Sequence, residues 1–283
     1  MSSLLIVNIE KLVQVREQTC SPLRGAQMDI LPVIDVAFLF SEKGKIAAFG
    51  SMSELPQSLP RSADKVIDAT GRMVLPAFCD CHTHLVYAGS REMEFIDKIR
   101  GLSYQEIAAR GGGILNSARL LHDTSEEELF RQAMVRVEEV MHFGTGAIEI
   151  KSGYGLTTED EVKMLRVIRR IAEESPLTVK ATFMGAHAFP ERFRDDHEGY
   201  VSEIINEMIP AVAAEGLAEY IDVFCEEGFF SREESDRILA AGRKYGLKAT
   251  VHANQMSCSG GVEVGVKYDA ESVSHLEYAG DAQ

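Results

Sequence analysis

His82 and His84 are separated by one residue in Asp80-Cys81-His82-Thr83-His84, which Cys79 joins to the apolar run Met73-Val74-Leu75-Pro76-Ala77-Phe78. Side-chain direction repeats every two residues on a strand, so both imidazoles project from one face and can reach a single metal ion. Lone histidines are usually surface or core filler. Here, however, His187, His252 and His275 follow, each at the end of a later apolar segment. Imidazoles gathered from separate strands suit a catalytic metal, which acidifies a water molecule and polarises a carbonyl for hydrolysis.

The elements that must position them differ along the chain. Residues 4–9, 33–40 and 45–49 are short β-type runs punctuated by Gly, Pro and Ser, which reads as a small β domain over residues 1–70. From residue 71 to 283 the rhythm becomes strand, loop, amphipathic helix, strand, the pattern of a parallel sheet with helical crossovers. The expected strands are 73–84, 147–151, 178–187, 220–225, 248–252 and 272–275. Ser125-x-x-Glu128, Thr158-x-x-Glu161 and Ser231-x-x-Glu234 match capping boxes at the starts of intervening helices. An open doubly wound sheet fits six parallel strands, but histidines at the C-terminal ends of strands one, three, five and six meet at one mouth only if the sheet curls into a (β/α)8 TIM-type barrel. About six of the eight units are present, so the ring is expected not to close within this sequence. The strand edges this would expose are expected to favour association, poor solubility or inactivity.

The net charge of -15 over 283 residues, without basic runs, disfavours nucleic acid and anionic membranes as partners and favours a small-molecule substrate. Five cysteines, Cys20, Cys79, Cys81, Cys225 and Cys258, have no framework spacing, which suggests reduced thiols and a cytoplasmic location. No secretory pattern opens the chain, and no apolar run reaches the roughly 18 residues of a membrane span.

Leu75-Pro76-Ala77-Phe78 before Asp80-x-His82-x-His84, with the later strand-end histidines, resembles the amidohydrolase superfamily. Within it, residues 82–92, Lys151-Ser152-Gly153-Tyr154-Gly155, Gly185-Ala186-His187-Ala188 and Ser274-His275-Leu276-Glu277 are similar to the imidazolonepropionase family of histidine degradation. The resemblance covers the whole chain and implies a barrel of the metal-dependent hydrolase kind with a small N-terminal β-sandwich domain. It also implies hydrolysis of 4-imidazolone-5-propanoate to N-formimidoyl-L-glutamate, with His82, His84 and His252 as metal ligands. The family's remaining ligand is an aspartate on the eighth strand, and this sequence ends before any such strand. Asp80 suits a supporting role instead. Segment 221–226 supplies no lysine to bridge a second ion, so one metal is expected, and imidazole ligands suit zinc and iron alike. A homodimer is the family expectation.

For Arg91, spacing alone favours a surface pairing with Glu92 or Glu94. The family match favours a guanidinium that clamps the propanoate carboxylate. Tyr154 reads equally well as a core cap or a substrate contact, and His187 as a structural group or, by resemblance, a contact to the imidazolone ring. His275 resembles the histidine that orients or deprotonates the attacking water. Gln255 stands where many related enzymes carry a carboxylate. An amide exchanges no proton at neutral pH, so Gln255 is assigned to substrate positioning. Lys151 reads as a structural ion pair at least as readily as a catalytic amine, Glu226 as exposed loop charge, and Cys225 and Cys258 as buried thiols. Competing functions are deamination of a purine or pyrimidine base by the same ligands, and an inactive fragment.

Overall fold

The computed structural model describes residues 3–16, 23–102, 106 and 112–280. It divides into two compact units, Met1–Ala77 and Phe78–Gln283.

The first unit is one mixed five-stranded sheet. Strands β1 (Ser3–Val13), β2 (Val33–Glu42) and β3 (Lys45–Ser51) run antiparallel in sequence, and β4 (Lys65–Asp68) and β5 (Met73–Val74) pair parallel to β1. Alternation along β2 sends Phe38 and Phe40 to one face with Leu5, and Ala37 to the other with Ile9 and Leu12, so each face carries a small apolar cluster.

The second unit is a six-stranded parallel sheet in sequential order: β6 (Phe78–Thr83), β7 (Thr145–Lys151), β8 (Thr178–Ala186), β9 (Tyr220–Cys225), β10 (Lys248–Ala253) and β11 (Ser272–His275). The connections carry α1 (Glu92–Ile99), α2 (Ile114–His122), α3 (Glu126–His142), α4 (Thr158–Glu174), α5 (Arg232–Lys244) and α6 (Gly261–Lys267), with further short helices over residues 197–214. The core lies between helices and sheet, where Leu129, Ala133 and Val137 of α3 and Val162, Leu165 and Ile168 of α4 are buried with Ile148, Phe183 and Val223. The sheet curls far enough for residues of both edge strands, Cys79 and Cys81 of β6 and Ser272 of β11, to line one cavity of about 200 Å³.

Three expectations change. The single strand expected over 73–84 is two strands in two sheets, because the run is interrupted at Pro76, whose nitrogen has no proton for a ladder. Helix α4 is capped by Thr157, whose hydroxyl accepts the Asp160 N–H at 3.2 Å, rather than by Thr158. The predicted caps at Ser125 and Ser231 are present, with the full box at Ser231. Cys79, Cys81, Cys225 and Cys258 are free thiols. Cys225 is buried, but Cys258 is exposed. Cys20 lies outside the described residues. No helix among the described residues is long and apolar enough to cross a membrane.

Candidate metal-binding active site

The C-terminal strand ends deliver the side chains singled out above. His82 lies on β6 with His84 just beyond it, His187 follows β8, His252 lies on β10, and His275 ends β11. Tyr154 follows β7, Arg91 precedes α1, and Gln255 follows β10. All eight line one cavity of about 400 Å³ together with Lys98, Ile114, Phe224, Met256 and Glu277. Parallel strands place their C-terminal ends on one side of the sheet, so residues from distant parts of the sequence meet there.

His82, His84 and His252 each offer a ligand atom within 4.8 Å of the other two. His84 Nε2 and His252 Nε2 are 3.3 Å apart, and the His82 and His252 ring centroids are 4.4 Å apart. The buried Nδ1 atoms of His82 and His84 have no hydrogen-bond partner. Burial, then the neighbouring His252, lowers the His82 pKa to about 3, and burial, then His187, holds His84 well below its ordinary value. These are neutral imidazoles with lone pairs crowded together. That arrangement fits a shared cation better than a set of mutual hydrogen bonds.

The third imidazole is oriented from below. Asp222 Oδ1 accepts the His252 Nδ1–H at 2.9 Å and its backbone N–H at 3.1 Å, which leaves Nε2 toward the cluster. Asp222 Oδ2 accepts from Lys151 Nζ at 2.8 Å and Thr250 Oγ1 at 2.7 Å. Lys151 also donates to Glu149 at 2.7 Å, and both Lys151 and Asp222 are 1% exposed. Burial opposes the charge on Asp222, but His252 and Lys151 outweigh it and hold the carboxyl well below the usual range. Lys151 is thus a structural ion pair, and Asp222 was missed. The available signal was a single acid in the apolar strand 220–225, a position that demands a buried partner.

The surrounding loops are equally constrained. His187 Nδ1 donates to Gly153 O at 2.8 Å, and its ring stacks on His84 with centroids 4.8 Å apart. Gly153 has φ +108°, and an added Cβ at Gly155 would lie 2.4 Å from the Glu161 nitrogen, so the loop carrying Tyr154 requires glycine on both sides. Glu161 fastens that loop by accepting from Gly153 N at 3.0 Å, Gly155 N at 2.8 Å and Leu156 N at 3.0 Å. Arg91 Nε donates to Glu94 at 2.7 Å, and Glu94 also accepts from Gly113 N at 2.8 Å, which fixes one edge of the guanidinium against the loop before α2. Glu226 is buried rather than exposed. It accepts from the Gln255 and Met256 nitrogens, both at 2.9 Å, from Glu227 N at 3.0 Å and from the Ser257 hydroxyl, and so sets the path of the loop after β10.

No protein-family model matches the chain. It is 56% identical over 273 residues to the imidazolonepropionase of Flavobacterium johnsoniae, covering 96% of this chain and 66% of that protein. It is 54% identical over 279 residues to the imidazolonepropionase of Christiangramia forsetii, covering 99% and 67%. The chain therefore spans about two-thirds of the length of the curated relatives it matches. Among solved structures, 5-methylcytosine deaminase from Klebsiella pneumoniae superposes with a TM-score of 0.61 at 14% identity over 93% of this chain and 55% of that one. Guanine deaminase from C. acetobutylicum does so with 0.55 at 12% identity over 99% and 64%. At such identities these two share the fold of the chain.

Proposed function

Because the chain belongs to the imidazolonepropionase family, we propose that its histidine-lined cavity hydrolyses 4-imidazolone-5-propanoate to N-formimidoyl-L-glutamate by attack of water on the cyclic amide. The observation that carries this reading is the convergence of His82, His84 and His252 in one cavity with Arg91. These three histidines would hold one zinc or iron ion. When bound, the ion supplies an acidified water and polarises the ring carbonyl.

The remaining residues bind and orient. Arg91, steadied by Glu94, pairs with the propanoate carboxylate, for which a planar guanidinium offers parallel donors. Tyr154 and His187, with ring centroids 5.4 Å apart, flank the imidazolone ring. His275 takes the proton from water and returns it to the departing nitrogen. Gln255 holds the substrate through its amide. Free thiols at all four described cysteines agree with a cytoplasmic setting.

Ultraviolet monitoring of imidazolone loss, alongside ammonia detection and metal analysis, tests the reading. The expected result is imidazolone consumption, N-formimidoyl-L-glutamate formation and no ammonia. Ammonia release from a purine or pyrimidine base, with the imidazolone left intact, would assign the cavity to deamination.

A further inference from the structure

Glu277 is the one carboxylate among the described residues that line the cavity. Its Oε1 stands 3.7 Å from His275 Nδ1. That is an ion-pair separation, longer than a hydrogen bond, of the kind that tightens in catalytic pairs when substrate is in place. His275 and Leu276 adopt left-handed backbone conformations, with φ of 76° and 67°. Such conformations cost L-residues about 1–2 kcal/mol each. Leu276 N bonds to Ala253 O at 3.1 Å and Tyr278 N to Asn254 O at 2.9 Å, so the turn is fastened to the strand that carries His252. Backbone strain held in place at the rim of a site points toward function. Here it brings Glu277 to the Nδ1 side of His275 and leaves Nε2 on the opposite edge of the ring.

We propose that Glu277 is the positioning residue of His275: its carboxylate keeps the imidazole proton on Nδ1 and presents Nε2 to the cavity as the basic nitrogen. The inference rests on the hydrolysis proposed above and deepens it. In that reaction a water O–H bond breaks as a C–O bond forms at the ring carbonyl carbon, and the proton passes to His275 Nε2. The C–N bond then breaks, its electron pair stays on nitrogen, and that nitrogen takes the proton back from Nε2. The Glu277 carboxylate offsets the charge on the imidazolium, as a carboxylate does for a catalytic histidine elsewhere.

Nitrogen-15 NMR of the histidine rings in the metal-free full chain at neutral pH tests the tautomer, alongside steady-state kinetics of the metal-loaded chain. His275 is expected to carry its proton on Nδ1. Glu277→Met should move it to Nε2 and lower kcat about tenfold or more with KM unchanged, whereas Glu277→Asp should retain the Nδ1 proton. The Glu277 side chain is 55% exposed, so its loss leaves the core intact, and Glu277→Ala gives an independent second readout. An unchanged His275 tautomer in both the Met and Ala variants overturns the proposal even if the chain is fully active. A Glu277-dependent tautomer in a chain that leaves the imidazolone untouched keeps the pairing and sinks the hydrolysis instead.

Discussion

His252 sits between the cavity and a buried ion pair, so what lies beneath it governs what it can hold. Asp222 fixes its tautomer and also neutralises Lys151. Asp222→Ala should therefore weaken zinc binding by about 10- to 100-fold in equilibrium dialysis. It should also destabilise the fold by about 3–5 kcal/mol in urea, because it leaves a buried ammonium undercompensated. Lys151→Met should reproduce much of the stability loss. The His82 and His84 pair was legible because two-residue spacing on a strand is a local signal. The Lys151–Asp222 pair was not, since its partners are 71 residues apart on next-but-one strands and no local pattern joins them. Glu226 misled for a related reason. Its sequence neighbour is another acid, while three of its four donors come from the loop after β10.

Among the elements, helix α4 shows how a one-residue change in cap separates two jobs. With Thr157 as the cap, Glu161 is released from closing a capping box and instead gathers three amides of the Tyr154 loop. Thr157→Ala should cost about 1 kcal/mol in thermal or urea unfolding. Thr158→Ala should be nearly neutral or stabilising, since its buried hydroxyl has no partner. The reverse ranking would restore Thr158 as the cap. Strand positions were read closely because buried parallel strands are unbroken apolar runs. The division of the run at 73–84 was less visible, since apolar residues continue unbroken across Pro76 while the pairing partners change.

Over the whole molecule, barrel curvature followed from a chemical argument, since periodicity alone fits an open sheet equally well. His82 of β6 and His275 of β11 have ring centroids 5.2 Å apart although their strands are the two edges of the sheet, and that proximity is the curvature. Crowding of imidazoles also sets the acid response. Burial, then His252, lowers the His187 pKa to about 3, below the unfolded value of about 6.5. As pH falls, the unfolded chain binds the proton first. The stabilisation is complete above about pH 6.5 and is lost progressively toward pH 3. Metal-free protein should be less stable at pH 5 than at pH 7.5 by about 2 kcal/mol from this residue alone, read as a lower urea midpoint, and His187→Asn should flatten that part of the slope.

His84 and His252, whose Nε2 atoms are 3.3 Å apart, are separated by 168 residues of chain. Closing so long a loop carries a large chain-entropy cost, which the sheet meets in steps between neighbouring strands. An ion seated there would tie the first strand of the sheet to the fifth. It is expected to slow unfolding more than it speeds refolding, which the two rates measured with and without zinc would check.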